Sequence, residues 1–157
     1  MSKISPLAFR DPEAKIGENC EIGPFCFIDK NVEIGDNNVL MNSVSVLYGA
    51  RIGNGNVIFP GAVISAVPQD LKFQGEDTTA EVGDNNKIRE NVTINRGTAA
   101  KGKTCVGSGN LLMESVHVAH DAFVGNDCII GNGTKLAGEI IIDDHAIISA
   151  NVLMHQF

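Results

Sequence analysis

The chain has no apolar run longer than a few residues, far short of the ~20 needed to span a membrane as a helix. Its opening residues, Met1-Ser2-Lys3-Ile4-Ser5-Pro6, include no apolar stretch of signal-peptide length, so the expectation is a cytoplasmic protein that neither enters a membrane nor is exported. It lacks CxxC pairs. Cys20, Cys26, Cys105 and Cys128 stand alone, which argues against a zinc or disulfide framework and predicts small buried hydrophobes. It also lacks a surplus of basic charge. With 12 Lys and Arg against 19 Asp and Glu, the formal net charge is -7, which argues against general nucleic-acid binding, because that depends on a cationic surface displacing counterions. Any acidic partner must meet a local basic patch. The remainder, 157 residues with 43% apolar and 20% charged, describes one globular domain with a continuous core.

What the sequence does contain is a repeat of six. Every sixth residue from Ile16 is apolar: Ile16, Ile22, Ile28, Ile34, Leu40, Val46, Ile52, Ile58 and Ile64. The frame resumes with Val82, Ile88 and Ile94, and again from Val106 through Leu112, Val118, Val124, Ile130, Leu136, Ile142 and Ile148 to Met154. Glycine, Asp, Glu or Ala often follows the anchor, and four places after it stands a small, branched or Asn residue. A hexad is too short for a helix and loop. It suits a short strand plus a corner, with Gly, Asn and Asp supplying the unusual backbone angles. Three hexads close a triangular coil of 18 residues, and coils stack as parallel strands about 4.8 Å apart with the anchors inside. The predicted fold is all-β, a single-stranded parallel β-helix over residues 1–157, in which each coil touches only its neighbours.

Two stretches break the frame. Residues 65–81 have no hexad grammar and are too polar for the core, so they are expected to project as a loop. Residues 96–105 carry Arg96, Lys101 and Lys103 among glycines and form a second expected loop, a candidate basic patch for steering an acidic partner. Long loops on a rigid solenoid generally serve binding or assembly.

The chemistry concentrates in Val116-His117-Val118-Ala119-His120-Asp121. His117 precedes the inward anchor Val118 and so points outward, while His120 lies near the next corner. Coil arithmetic, 18 residues on, puts Gly138 beside His120, Glu139 beside Asp121, and His155 in register with Ala137 and Ala119. An exposed imidazole takes a proton near neutral pH, and an adjacent carboxylate orients it. A glycine at 138 lets a backbone N–H approach a developing oxyanion.

Gln69-Asp70-Leu71-Lys72-Phe73, Ile88-Arg89-Glu90, Thr93-Ile94-Asn95-Arg96-Gly97-Thr98, Asn110-Leu111-Leu112-Met113, His117-Val118-Ala119-His120-Asp121, Leu136-Ala137-Gly138 and His155-Gln156-Phe157 together resemble the bacterial UDP-N-acetylglucosamine acyltransferase family, in order and approximate spacing. The resemblance implies a left-handed coil, contrary to the usual crossover hand, and a homotrimer with sites between neighbouring subunits. It implies transfer of a 3-hydroxyacyl group from acyl carrier protein to the 3-hydroxyl of UDP-N-acetylglucosamine, the first step of lipid A biosynthesis. By the same resemblance His120 is the general base and Asp121 orients it. His117 and His155 help form the site, Gly138 gives the oxyanion a backbone donor, and Gln69, Asp70 and Lys72 meet the nucleotide sugar and acyl chain. No metal or bound cofactor is implied, because the thioester supplies the activation.

Two departures qualify the match. Glu139 stands where the best-known members have histidine, so its contacts to the sugar or its acetamide are expected to differ. The chain also stops at Phe157, where the family continues with further coils and a helical C-terminal domain, and the hexad frame runs to Met154 without a cap. The expectation is a shortened chain that keeps the fold and trimer but is weak or inactive as an enzyme. Other readings are a later N-acyltransferase of the same pathway, against which the Gln-Asp-Leu-Lys loop argues, a γ-type carbonic anhydrase with three histidines on zinc, for which no third ligand is evident, and a non-catalytic trimeric scaffold.

Overall fold

The hexad frame folds as its period dictates. The computed structural model describes residues 1–157 and contains 23 strands, most of two residues, nearly all ending on an apolar anchor such as Ile28, Leu112 or Val118. Every third strand joins the same sheet, giving three parallel sheets of eight, eight and seven strands, the walls of a single-stranded left-handed parallel β-helix. No helix long and apolar enough to cross a membrane is present. The anchors from Ile22 to Ile142 are buried in one continuous core, whereas Ile16, Ile148 and Met154 are half-buried. At the predicted coil period, Lys3 pairs with Glu21.

Each regular corner places the third residue after the anchor in the left-handed backbone region. Asn, Asp and Gly dominate these places, as at Asn19, Asn37, Gly55, Asn85, Asp121 and Asp127, because their short or absent side chains tolerate positive φ best. The residue after it turns inward and caps the corner. Down one edge this column reads Cys20, Asn38, Asn56, Asn86, Asn110 and Cys128. Asn38 Nδ2 donates to the Gly53 carbonyl at 2.8 Å, and Asn110 Nδ2 to that of Gly125 at 2.9 Å. Cys20 and Cys128 Sγ do the same toward Gly35 and Asp143, each at 3.1 Å. The amide of Asn56 donates to Asn38 Oδ1, and that of Asn86 to Asn56 Oδ1. These cysteines are buried, as expected, but they serve as corner donors as well as fillers. Cys105 differs: it is half-exposed on an outer face beside Glu81.

Both interruptions are tighter than the sequence suggests. Ser65 and Ala66 extend the strand Val63–Ala66, and Thr79–Val82 is again strand, so the first projecting segment is 67–78. Ser65, Thr78 and Ala80 are buried, contrary to the wholly external loop that the polarity of the segment predicts. The second excursion leaves only Ala99, Ala100 and Lys101 well exposed before the strand Lys103–Val106. Its expected basic patch is not formed. Arg96 is buried, and Lys103 Nζ pairs with Glu81 at 3.1 Å, which raises the Lys103 pKa. The register across the insertions grows from 18 to 30 residues (Val57 with Lys87) and to 24 (Thr93 with His117). This growth folds both excursions against the corner that holds His120.

Candidate active site

The strand His117–Val118 buries Val118, turns His117 outward and delivers His120 to the corner. Asp121 is the left-handed corner residue, with a φ of 61° that matches Asn91 and Asn85 in earlier coils. Its backbone conformation is therefore the rule of the fold and not strain special to the site. The turn folds its carboxylate against the imidazole, with Asp121 Oδ2 at 2.8 Å from His120 Nδ1.

Asp121 is 1% exposed yet held ionised. Burial pushes its carboxyl up, but hydrogen bonds from Thr98 Oγ1 at 2.5 Å, from His120, and from Thr98 N at 2.9 Å outweigh burial and bring it below the ordinary carboxylate range. A carboxylate only accepts, so Nδ1 of a neutral His120 carries the hydrogen and Nε2 presents its lone pair. Asp121 N in turn donates to Thr104 Oγ1 at 2.8 Å. On the other side, Asp70 Oδ2 lies 3.9 Å from Nε2, beyond hydrogen-bond reach. The base therefore faces a gap. His120 is not the exposed imidazole expected from its corner position, because the 67–78 loop leaves its side chain only 14% exposed.

His120 and Gln69 stand between two clefts. One, about 680 Å³, is lined by Asp70, Lys72, Thr98, Glu139 and Phe157; the other, about 300 Å³, by Asn95, His117, Lys135, Gly138 and Leu153. The first is of a size that holds small organic ligands, and together they let two reactants approach one base from different sides.

Gly138 lies one coil on, as the arithmetic predicts. A Cβ there would fall 2.6 Å from His120 Cε1 and 2.8 Å from Nε2, so glycine alone fits beside the ring. Its N–H has no backbone acceptor. His117 Nδ1 shares a hydrogen bond with Thr93 Oγ1 at 2.7 Å, and its pKa is lowered by burial first, then by Lys135 and His120.

The remaining expected residues are less uniform. Lys72 is exposed, and its amide caps Asp70 Oδ1 at 2.9 Å. Glu139 accepts from Gln156 Nε2 at 3.3 Å at the rim of the larger cleft. His155 lies outside both clefts; it is exposed, and its Nδ1 shares a hydrogen bond with the Gln156 carbonyl at 2.8 Å. No group of three or more His, Cys, Asp and Glu side chains is arranged to hold a metal ion. Thr98, Thr104, Thr93 and Asn95 escaped sequence reasoning. The only available signal was the Thr93–Thr98 segment as a whole, which names no roles. Asn95 Nδ2 donates to the Val67 carbonyl at 2.9 Å, while its buried Oδ1 has no partner.

No protein-family model matches the chain. Solved structures match it along almost all of its length. A UDP-N-acetylglucosamine acyltransferase from Bacteroides fragilis is 76% identical, with a TM-score of 0.97, over 98% of this chain and 60% of that one. The enzyme of the same name from Francisella novicida is 45% identical, with a TM-score of 0.96, over 98% of this chain and 56% of that one. A structure from Acinetobacter baumannii is 43% identical, with a TM-score of 0.97, over 98% and 60%. The chain thus spans about 60% of the length of these relatives.

Proposed function

The chain belongs to the UDP-N-acetylglucosamine acyltransferase family, and from that premise we propose that it carries the acyl-transfer centre of such an enzyme. The reaction is transfer of a 3-hydroxyacyl group from the thioester of acyl carrier protein to the 3-hydroxyl of UDP-N-acetylglucosamine, the first step of lipid A biosynthesis, in the cytoplasm. The observation that supports this reading is the His120–Asp121 pair, whose free Nε2 opens between two clefts.

His120 Nε2 takes the proton of the sugar 3-hydroxyl as its oxygen attacks the thioester carbonyl. Asp121, held ionised by Thr98, stabilises the imidazolium and fixes its orientation. Negative charge develops on the former carbonyl oxygen, to which the Gly138 N–H donates. Collapse of the tetrahedral intermediate breaks the carbon–sulfur bond, and the imidazolium returns its proton to the departing thiolate. The products are the 3-O-acyl sugar nucleotide and the free thiol of the carrier protein. Gln69, Asp70 and Lys72 position the substrates, with His117 and Glu139 on the cleft walls. The working assembly is a homotrimer with each site completed by a neighbour. The exposed apolar ladder of Phe123 and Ile141 favours such association.

His120→Ala is expected to lower acyl transfer to UDP-N-acetylglucosamine about 10²–10⁴-fold, the usual scale of general acid–base catalysis, with the β-helix intact by circular dichroism. Turnover at the parent rate would remove His120 from the role of base.

A further inference from the structure

Arg96 is 9% exposed and forms no ion pair. Buried arginines ordinarily neutralise their charge against a carboxylate. This one instead sits over two rings, with its guanidinium carbon 5.1 Å from the centroid of Tyr48 and 5.2 Å from that of Phe73. Its Nη1 reaches the Tyr48 carbonyl only at 3.5 Å, and its Nε has no partner. Tyr48 belongs to the body of the coil, and Phe73 to the projecting loop that carries Gln69 and Asp70.

That loop has little else to hold it. Asn95 secures its start at Val67, and at its end the Tyr48 hydroxyl donates to Asp77 at 3.0 Å and Thr78 Oγ1 to the Gly97 carbonyl at 2.6 Å. Between these ties its hydrogen bonds are local, such as Phe73 N to the Asp70 carbonyl at 3.0 Å. Beyond the approach of Asp70 to His120, the Arg96 cation–π contact bridges the coil to the middle of the loop. It lies three residues beyond Asp70, whose carboxylate faces His120 Nε2 across 3.9 Å.

We propose that Arg96 is a positioning residue for acyl transfer: in cation–π contact with both Tyr48 and Phe73, it pins the 67–78 loop so that Gln69 and Asp70 stand over His120. This rests on the acyltransferase reading of the His120 site. A planar, delocalised cation suits the task because it contacts both rings at once and is weakly hydrated, so it tolerates burial that an ammonium group resists.

The test uses Arg96→Met, which keeps the length and apolar stem, Arg96→Lys, which keeps the charge without the plane, and Phe73→Leu, which removes the loop's half of the contact. Hydrogen exchange is followed at the amides of 67–78 and, as a control, at the coil strands. Loss of the contact is expected to speed exchange of the loop about tenfold in the Met and Leu variants, with the strands unchanged and lysine restoring only part of the protection. Acyl-transfer kcat/KM is expected to fall about 10²-fold, the scale of a misplaced catalytic group. The same change on an Asp70→Asn background is expected to cost much less, because the residue acts through that loop. Unchanged loop exchange in both the Met and Leu variants overturns the proposal, as does full additivity with Asp70→Asn. Should Arg96→Met fail to fold, Phe73→Leu carries the test alone. If the parent chain shows no transfer while the loop still loosens, the pin stands and the acyltransferase reading falls.

Discussion

The regular coils and the interrupted coils of this protein bury polar groups in opposite ways. Along the regular edge, Asn38, Asn56, Asn86 and Asn110 are almost fully buried, and every one bonds the next coil while Asn56 and Asn86 also bond the coil before, so the column closes its own account of donors and acceptors. Around the two excursions, Thr78, Asn95, Arg96, Thr98, Thr104 and Asp121 are buried too, but Thr98, Asp121 and Thr104 bond one another across elements, Thr78, Asn95 and Arg96 reach only carbonyls of other segments, and Asn95 Oδ1 and Arg96 Nε remain unpaired. Repetition makes the first kind of burial inexpensive, since one solution serves every coil. The second kind is irregular and incompletely satisfied, and it surrounds the only base that opens onto both clefts. Incomplete pairing of this sort costs about 1–3 kcal/mol for each stranded group, which a fold accepts most readily where chemistry requires it.

The strongest way to break the contrast is Asn56→Leu. It strands the Gly83 carbonyl and the Asn86 backbone amide inside the stack and leaves Asn38 Oδ1 with only the backbone donor of residue 56, with an expected loss of roughly 2–6 kcal/mol of stability. Denaturant unfolding measures it, and transfer per folded molecule is expected to hold, because the column lies away from His120. Gly138→Ala reverses the pattern. Its methyl group meets a ring that Asp121 holds in place, so transfer is expected to fall about 10²-fold while the unfolding midpoint barely moves. A matched loss of stability and rate would place Gly138 among the structural glycines.

The smallest expected effect concerns pH. The folded pKa of His117 is lowered, so below the free-histidine value of about 6.5 the unfolded chain binds more protons at this site than the folded one. Its contribution is present above that pH and is lost as the pH falls through the window between the unfolded and folded values. His117→Gln should therefore flatten the acid side of the stability profile in that window. A profile parallel to the parent's would show that His117 titrates alike in both states.

Sequence reading recovered whatever obeys the period. The anchors, the outward turn of His117 and the place of Gly138 beside His120 all follow from six and 18, and Asp121 is legible as a corner residue next to the base. The period says nothing once its count is broken. Thr98 reaches Asp121 from 23 residues away and Thr93 reaches His117 from 24, separations set by the length of the second excursion and not by the coil. Arg96 misled for a related reason. Beside Lys101 and Lys103 its charge reads as surface, and it is covered only because the first excursion folds back and brings Phe73 to the guanidinium that Tyr48 already faces. His155 shows the converse limit, since register alone placed it near the site and its exposed ring lies outside both clefts.

The asparagine column has one more property. From Asn110 back to Asn56 each backbone amide donates to the side-chain oxygen of its lower-numbered neighbour, by way of Asn86 Oδ1, Asn56 Oδ1 and Asn38 Oδ1. The links therefore point one way along the axis, and each polarises the next. Such a chain behaves less like a row of separate pegs than like a zipper with a direction, so the worth of an asparagine depends on how many links lie on either side of it. Removing a central tooth leaves two short runs, whereas removing a terminal one shortens the zipper by a single link.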